Sequence, residues 1–194
     1  MTINGARGFV AYTAGAFLLL LAAGANAGHD EVLRGVAEIS GCTDPVINGT
    51  AIFMEKNSDE GVKEVTVHLQ ISGLPEGKHA VHIHAVGDCA TVSTACSAAG
   101  GHFDPGPAGN TSPDGNHPFH SGDLINIDVG RGGVGTLETT TSRITLSPGP
   151  LSIFDGDGSA LIVHVNPDTY CPDGVVAGCA GGARVACGVI QRVQ

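Results

Sequence analysis

The sequence predicts an all-β domain, an antiparallel sandwich or barrel of about eight strands with two long functional loops. Three observations lead there. Short runs of alternating apolar and polar residues recur along the chain, the period-two pattern of strands with one face in a core. Between those runs fall 30 glycines and 10 prolines, which punctuate them as turns. Charged residues are 14 % of the chain, well under the usual quarter, which suits a glycine-rich β protein better than a helical one. A length of 194 residues suits a single domain with a substantial core.

The N-terminus stands apart from that domain. Arg7 precedes an apolar run over residues 9–25, and Ala25-Asn26-Ala27 matches a small-x-small cleavage site. This is the anatomy of a secretory signal peptide over residues 1–27, leaving a domain over 28–194 that starts at Gly28. The alternative, an uncleaved membrane anchor, is weakened because glycines break the run and it is short for a span. No cysteine stands at the cleavage point, which argues against a lipoprotein.

A first strand is expected over residues 32–40, a turn at 41–45 and a second strand over 49–55. After a turn at 57–61, Val65, Val67, Leu69 and Ile71 alternate with Thr66, His68 and Gln70, a half-exposed third strand with His68 on its solvated side. Residues 73–77 turn the chain into a fourth strand that begins at His79. Side chains two apart in a strand point the same way, so Val81 and Ile83 share one face and His82 and His84 the other. Residues 90–122 show no periodicity; so long a segment inside a compact domain is usually functional, and it holds Cys96, His102, His117 and His120. Strands over 125–129 and 134–140 flank a glycine turn, and 144–150 reads as a crossover loop. A short apolar strand over 161–165 sets His164 opposite Val163 and Val165; a second long loop, 166–182, precedes a last strand over 183–190. There is no internal repeat.

The chemistry gathers on histidine. Two imidazoles fixed on one strand face, followed by His102, His117, His120, His164 and the carboxylate of Asp123, make a nitrogen-rich metal site. Imidazole suits copper and zinc, and the lack of cysteine within these clusters argues against a thiolate zinc knuckle. A formal charge of −10 argues against a nucleic-acid partner, which needs a basic face. Cleavage after residue 27 would remove one arginine and no acid, making the balance more negative still. Six cysteines behind an export signal imply an oxidising compartment and disulfides. Cys171 and Cys179 bracket a short Pro/Gly loop and could close it locally.

Six pieces stand in order along the chain: His79-Ala80-Val81-His82-Ile83-His84, Gly87-Asp88, Gly100-Gly101-His102-Phe103-Asp104-Pro105, His120-Ser121-Gly122-Asp123-Leu124, Leu161-Ile162-Val163-His164, and Gly182-Ala183-Arg184-Val185-Ala186-Cys187-Gly188-Val189-Ile190. In them the chain resembles the copper/zinc superoxide dismutases over essentially all of its length after the leader. The resemblance implies a Greek-key β sandwich or barrel with copper and zinc as cofactors. It implies copper on His82, His84, His102 and His164, and zinc on His102, His117, His120 and Asp123. His102 would be a bridging imidazolate, because each metal favours the deprotonated nitrogen that it binds.

This sequence departs from the family's usual pattern at His117-Pro118-Phe119-His120, where the two later zinc histidines stand unusually close. An H-x2-H-x2-D turn could converge three ligands on a tetrahedral ion. The alternative makes His117 a surface loop residue, with zinc held poorly or by Asp114. Asp168 stands where the family has a carboxylate linking a copper ligand to a zinc ligand through their outer nitrogens; the alternative is a plain turn aspartate after Pro167. Arg184 matches the arginine at the mouth of the copper channel, where it attracts a small anion, against the alternative of an arginine paired on a strand surface. Cys187 matches the cysteine that tethers the metal loop. Its partner is Cys89, as in many bacterial members, or Cys96, as in eukaryotic ones; Cys89 is favoured, leaving Cys42 and Cys96 to pair or stay free.

The implied reaction is disproportionation of superoxide to oxygen and hydrogen peroxide. Copper would carry the electron, His102 would deliver a proton, Arg184 would hold the anion, and zinc would organise the site. A catalytically silent or copper-handling domain of this fold is the alternative. The first would be expected to lack a copper ligand or the arginine; the second would want free thiols. A secreted zinc-stabilised sandwich would need no histidine at position 164. The expected partner is the superoxide anion, with no nucleic acid and no stable membrane insertion once the leader is gone. Family members differ in how they dimerise, so a homodimer stays open. The expected location is exported, periplasmic or extracellular.

Overall fold

The computed structural model describes residues 1, 32–106, 117–174 and 176–193. The expected leader, apart from Met1, and Asp114 therefore lie outside the described residues. Among the described residues there are ten strands: β1 Leu33–Gly41, β2 Asn48–Asn57, β3 Lys63–Ser72, β4 Gly77–His79, β5 Val81–His84, β6 Ile127–Val129, β7 Val134–Thr141, β8 Ala160–His164, β9 Arg184–Val189 and β10 Gln191–Val193. The alternation read in the sequence is what forms them. Ala37 and Ile39, Ala51 and Phe53, and Val65, Val67, Leu69 and Ile71 all point inward from β1, β2 and β3, while their neighbours, mostly polar but including Ile52, face outward.

All pairings between strands are antiparallel, in the order β4-β6-β7-β3-β2-β1-β9-β8-β5, with β10 beside β1. The two ends of that order, β4 and β5, are neighbours in the chain, separated by Ala80 alone. The sheet is thus nearly closed into a barrel, and the passages from β3 to β4 and from β7 to β8 across other strands make it a Greek key. The all-β reading of the sequence holds.

The strand expected to run unbroken from His79 is two, because the chain changes neighbours at this seam. β4 pairs with β6 and β5 with β8. At the corner the Ala80 N–H donates to the Asn166 carbonyl and the Ala80 carbonyl accepts from His164 N–H, both at 2.9 Å. His79 is buried there, its ring nitrogens 2.9 Å from the His164 carbonyl and 3.0 Å from that of Pro75. Gly181, with φ +96°, makes the corner possible: a Cβ on it would stand 2.5 Å from the Ala80 Cβ. The strand expected from residue 125 is shortened to β6, because Asn126 turns aside to hold Asp168 instead.

One core fills the barrel. Val81 and Ile83 of β5 and Leu161 and Val163 of β8 enter it with Phe103, Leu124, Ile144, Leu146 and Ile153. The crossover after β7 is pinned from inside, where the buried Glu55 carboxylate accepts the N–H groups of Leu146 and Ser147 and faces Lys63 at 3.3 Å. A second cluster outside the barrel wall joins Ala160 and Ile162 to Ala99, Cys96 and Cys187. Disulfides join Cys42 to Cys96, Cys89 to Cys187 and Cys171 to Cys179. Residues 85–100 are therefore tied to the barrel twice, at Cys89 and at Cys96. No helix among the described residues is long and apolar enough to cross a membrane.

Candidate metal centre

All four residues of β5 are buried, because its second face is covered as well as its first. On one edge β5 pairs with β8, setting His82 opposite Ile162 and His84 opposite Ala160. On the other edge two loop segments take the place of a strand: Ile83 N–H donates to the Gly122 carbonyl and its own carbonyl accepts from Phe103 N–H. Gly122 has to lack a side chain, since a Cβ there would meet the Ile83 carbonyl oxygen at 2.3 Å. These contacts bring His102 beside His84 and Asp123 beside His82.

The ligand atoms of His82, His84, His102 and His164 lie within 4.8 Å of one another, all four residues buried. Their outer hydrogen bonds fix how the rings are protonated. His84 Nδ1 donates to the Gly100 carbonyl at 3.0 Å, His164 Nδ1 to the Gly182 carbonyl at 2.9 Å, and His82 Nε2 to Asp168 Oδ2 at 3.1 Å. In the neutral rings the inner nitrogens then carry lone pairs. His82 Nδ1 and His164 Nε2 face each other at 3.2 Å, and the buried Nε2 atoms of His84 and His102 have no protein partner. Buried lone pairs that converge without a donor are costly unless a cation meets them. This donor set, all imidazole, fits copper.

Burial also keeps the rings of His84, His102 and His164 neutral. It is the largest influence holding His84 well below its ordinary range, reinforced by the charges of His102, Arg184 and His164. Burial, then the neighbouring His82, lowers His164 to about 3, and burial lowers His102 to about 4 against the opposing pull of Asp123.

A second convergence surrounds Asp123. Its Oδ1 accepts from His102 Nδ1 at 2.7 Å, and its Oδ2 accepts from His120 Nδ1 at 3.1 Å and from the His120 backbone N–H at 3.0 Å. His117 Nδ1 stands 3.1 Å from the same Oδ2, out of line for a hydrogen bond. Burial alone would raise the Asp123 pKa; the three histidines outweigh it and hold the carboxyl far below the usual range. His117 is buried rather than on the surface. Burial opposes its charge, yet Asp123 and Asp168 together raise it to about 9, so that in the metal-free protein a proton supplies the positive charge between two carboxylates. His102 Nδ1, His120 Nδ1 and His117 Nδ1 stand 2.7, 3.1 and 3.1 Å from oxygens of the Asp123 carboxylate, a donor set whose chemistry fits zinc, which would displace those protons. The ligand atoms that lie within 4.8 Å of one another on this side are those of His82, His102, His117 and Asp123; the expected ligand His120 is not among them, and the two clusters share His82 and His102.

Asp168 lies between the clusters: its Oδ2 accepts from His117 Nε2 at 2.7 Å as well as from His82 Nε2. Asn126 holds it in turn, its Oδ1 accepting from Asp168 N–H at 2.7 Å and its Nδ2 donating to the Asp168 carbonyl at 2.9 Å. The sequence reading missed Asn126, although an asparagine between Ile125 and Ile127 in an apparent strand was a signal. Arg184 is set by a register shift. Val163 pairs with Ala186 but His164 with Arg184, so the extra residue Val185 is bulged out and the arginine stands beside His164. Its guanidinium donates to the Cys96 carbonyl at 2.7 Å and to the Gly100 carbonyl. The sequence reading also missed Arg143, whose guanidinium reaches the turn that carries His117, His120 and Asp123.

The chain is similar to a solved structure of the clock protein EA4, at 28 % identity and a TM-score of 0.63, over 82 % of this chain and 94 % of that one. A family model described as "Copper/zinc superoxide dismutase (SODC)" matches residues 47–190, well over half of the sequence. On that match, over a nearly closed antiparallel barrel with two abutting histidine clusters, the chain belongs to the copper/zinc superoxide dismutase family.

Proposed function

We propose that the chain is an exported superoxide dismutase that disproportionates superoxide to oxygen and hydrogen peroxide. The assignment sets copper on His82, His84, His102 and His164, and zinc on His102, His117, His120 and Asp123. The observation that carries it is His102, whose buried Nε2 turns without a partner toward one cluster while Nδ1 lies 2.7 Å from the carboxylate of the other. His82, His84, His102 and His164 would hold copper, which would supply one-electron redox chemistry: one superoxide would give up an electron and leave as oxygen, and a second would take up that electron with two protons as hydrogen peroxide.

The remaining work falls to the protein. Arg184, half-buried and held by two carbonyls, offers the rest of its guanidinium to a small anion and supplies a local positive field on a chain of charge −10. His102 is the residue assigned to proton delivery. Burial makes its ring a weak base, so a proton taken at Nε2 is readily passed on. Asp168 holds the rings of His82 and His117 in fixed orientation. Residues 1–27 are assigned as the export leader, and three disulfides suit a periplasmic or extracellular location. A copper-handling role is less well supported, since no cysteine is free to act as a soft ligand.

The test is superoxide consumption by metal-free, copper-loaded and copper–zinc-loaded protein, with His164→Ala alongside. Turnover restored by copper and lost in the variant supports the reading. Absence of turnover after copper is shown to be bound would sink it in favour of a silent domain.

A further inference from the structure

We propose that Arg143 is a positioning residue for the zinc site: from the barrel wall, its guanidinium holds the backbone of residues 117–123 in the conformation that aims His117, His120 and Asp123 at one ion. The inference rests on the zinc assignment above.

Arg143 starts from a fixed base. It follows the end of β7, its N–H donates to Thr141 Oγ1 at 3.1 Å, and its neighbour Ile144 is fully buried in the core. From there Nη1 donates to the Pro118 carbonyl at 3.2 Å and to the His120 carbonyl at 3.0 Å, while Nη2 donates to the Asp123 carbonyl. One planar fork thus satisfies three carbonyls of a single turn, a geometry that suits a guanidinium and not a single ammonium.

The turn needs such support. It contains no strand, and the backbone bonds that hold it are few: Asp123 N–H to the His120 carbonyl at 3.2 Å, with Gly122 N–H to the Phe103 carbonyl and Ile83 N–H to the Gly122 carbonyl, both at 2.8 Å. Fixing the carbonyls of His120 and Asp123 on the Arg143 side fixes where their Cα–Cβ bonds leave the chain. Those side chains then meet on the other side, where Asp123 Oδ2 and His120 Nδ1 are 3.1 Å apart. The close H-x2-H-x2-D spacing packs three ligands into seven residues, so a small rotation of this backbone would move all of them together.

Zinc affinity of the metal-free protein, measured by chelator competition, tests this in wild type, Arg143→Gln, Arg143→Lys and His120→Ala. Thermal unfolding of metal-free and zinc-loaded forms runs beside it. Wild type should bind zinc, Arg143→Gln should bind it about 10–100-fold more weakly, and Arg143→Lys should fall between. Metal-free Arg143→Gln should unfold near wild type, while the rise in Tm on adding zinc shrinks. Equal zinc affinity in Arg143→Gln and wild type would overturn the inference. So would an equal fall in Tm with and without zinc, which would make Arg143 a general stabiliser. A wild type that binds no zinc, or a His120→Ala that binds it as tightly, would instead overturn the zinc assignment beneath it.

Discussion

Arg184 is held by carbonyls of a loop, not by an acid, so among the described residues no carboxylate neutralises its charge; its bonds go to Cys96 and Gly100. Replacing it with glutamine removes the charge while leaving every histidine in place. Superoxide turnover of Arg184→Gln should fall by about tenfold or more, with copper and zinc contents unchanged. A variant as fast as wild type would show that the arginine serves only to hold the loop. At this scale much was legible: His82 and His84 on one strand face follow from strand period, and histidine is a recognisable ligand type wherever it stands. The proton arrangement was not, because it depends on which carbonyl faces each outer nitrogen. Asn126 and Arg143 escaped for the same reason, since each acts on backbone groups that a sequence does not orient.

Single elements show how the barrel holds its loops. Glu55 is buried on β2 and serves the crossover as well as Lys63 of the neighbouring β3. Burial by itself would raise its pKa, but the bonds from Ser147 and Leu146, with Lys63 beside it, lower it instead. Glu55→Ala would strip two N–H groups of their acceptor and should cost about 2–4 kcal/mol. It would appear as a lower urea midpoint at unchanged slope; a loss under about 0.5 kcal/mol would contradict this account of the crossover. Strands with a clean alternation, such as β3, were legible in the sequence nearly to the residue. The seam at Ala80 was not, because a strand that changes partners at a barrel corner keeps the same residue pattern on both sides. Nor was the register shift before Arg184, which exists only in the pairing of β8 with β9. The partner of Cys187 stayed open for a related reason, since Cys89 and Cys96 lie on one loop and only its path separates them.

For the whole molecule, the centre makes stability depend on pH. In the metal-free protein burial lowers His102 to about 4 and His164 to about 3, and His84 is also well below its ordinary value. A histidine whose folded pKa is depressed contributes stability that is present above its unfolded value and is lost as pH falls through the folded one. His117, raised to about 9, has the opposite sign: its contribution is full below its unfolded value and fades as pH rises through about 9. Three lowered groups outweigh one raised group on the acid side. The metal-free Tm should therefore fall by several degrees between pH 7 and pH 4, since each kcal/mol is worth about 2–4 °C at this size. The zinc-loaded form should lose its advantage in the same window as protons displace the metal. A flat metal-free Tm over that range would mean that the buried rings are not held neutral.

The central claim is that one buried histidine joins two different metal sites in each chain. Mass spectrometry of the intact native protein, counting metals bound per chain, tests it most directly. The account predicts one copper and one zinc held together in the same molecule, with both occupancies reduced in His102→Ala. A single metal per chain after loading with both, or a His102→Ala protein that keeps the full pair, would contradict it.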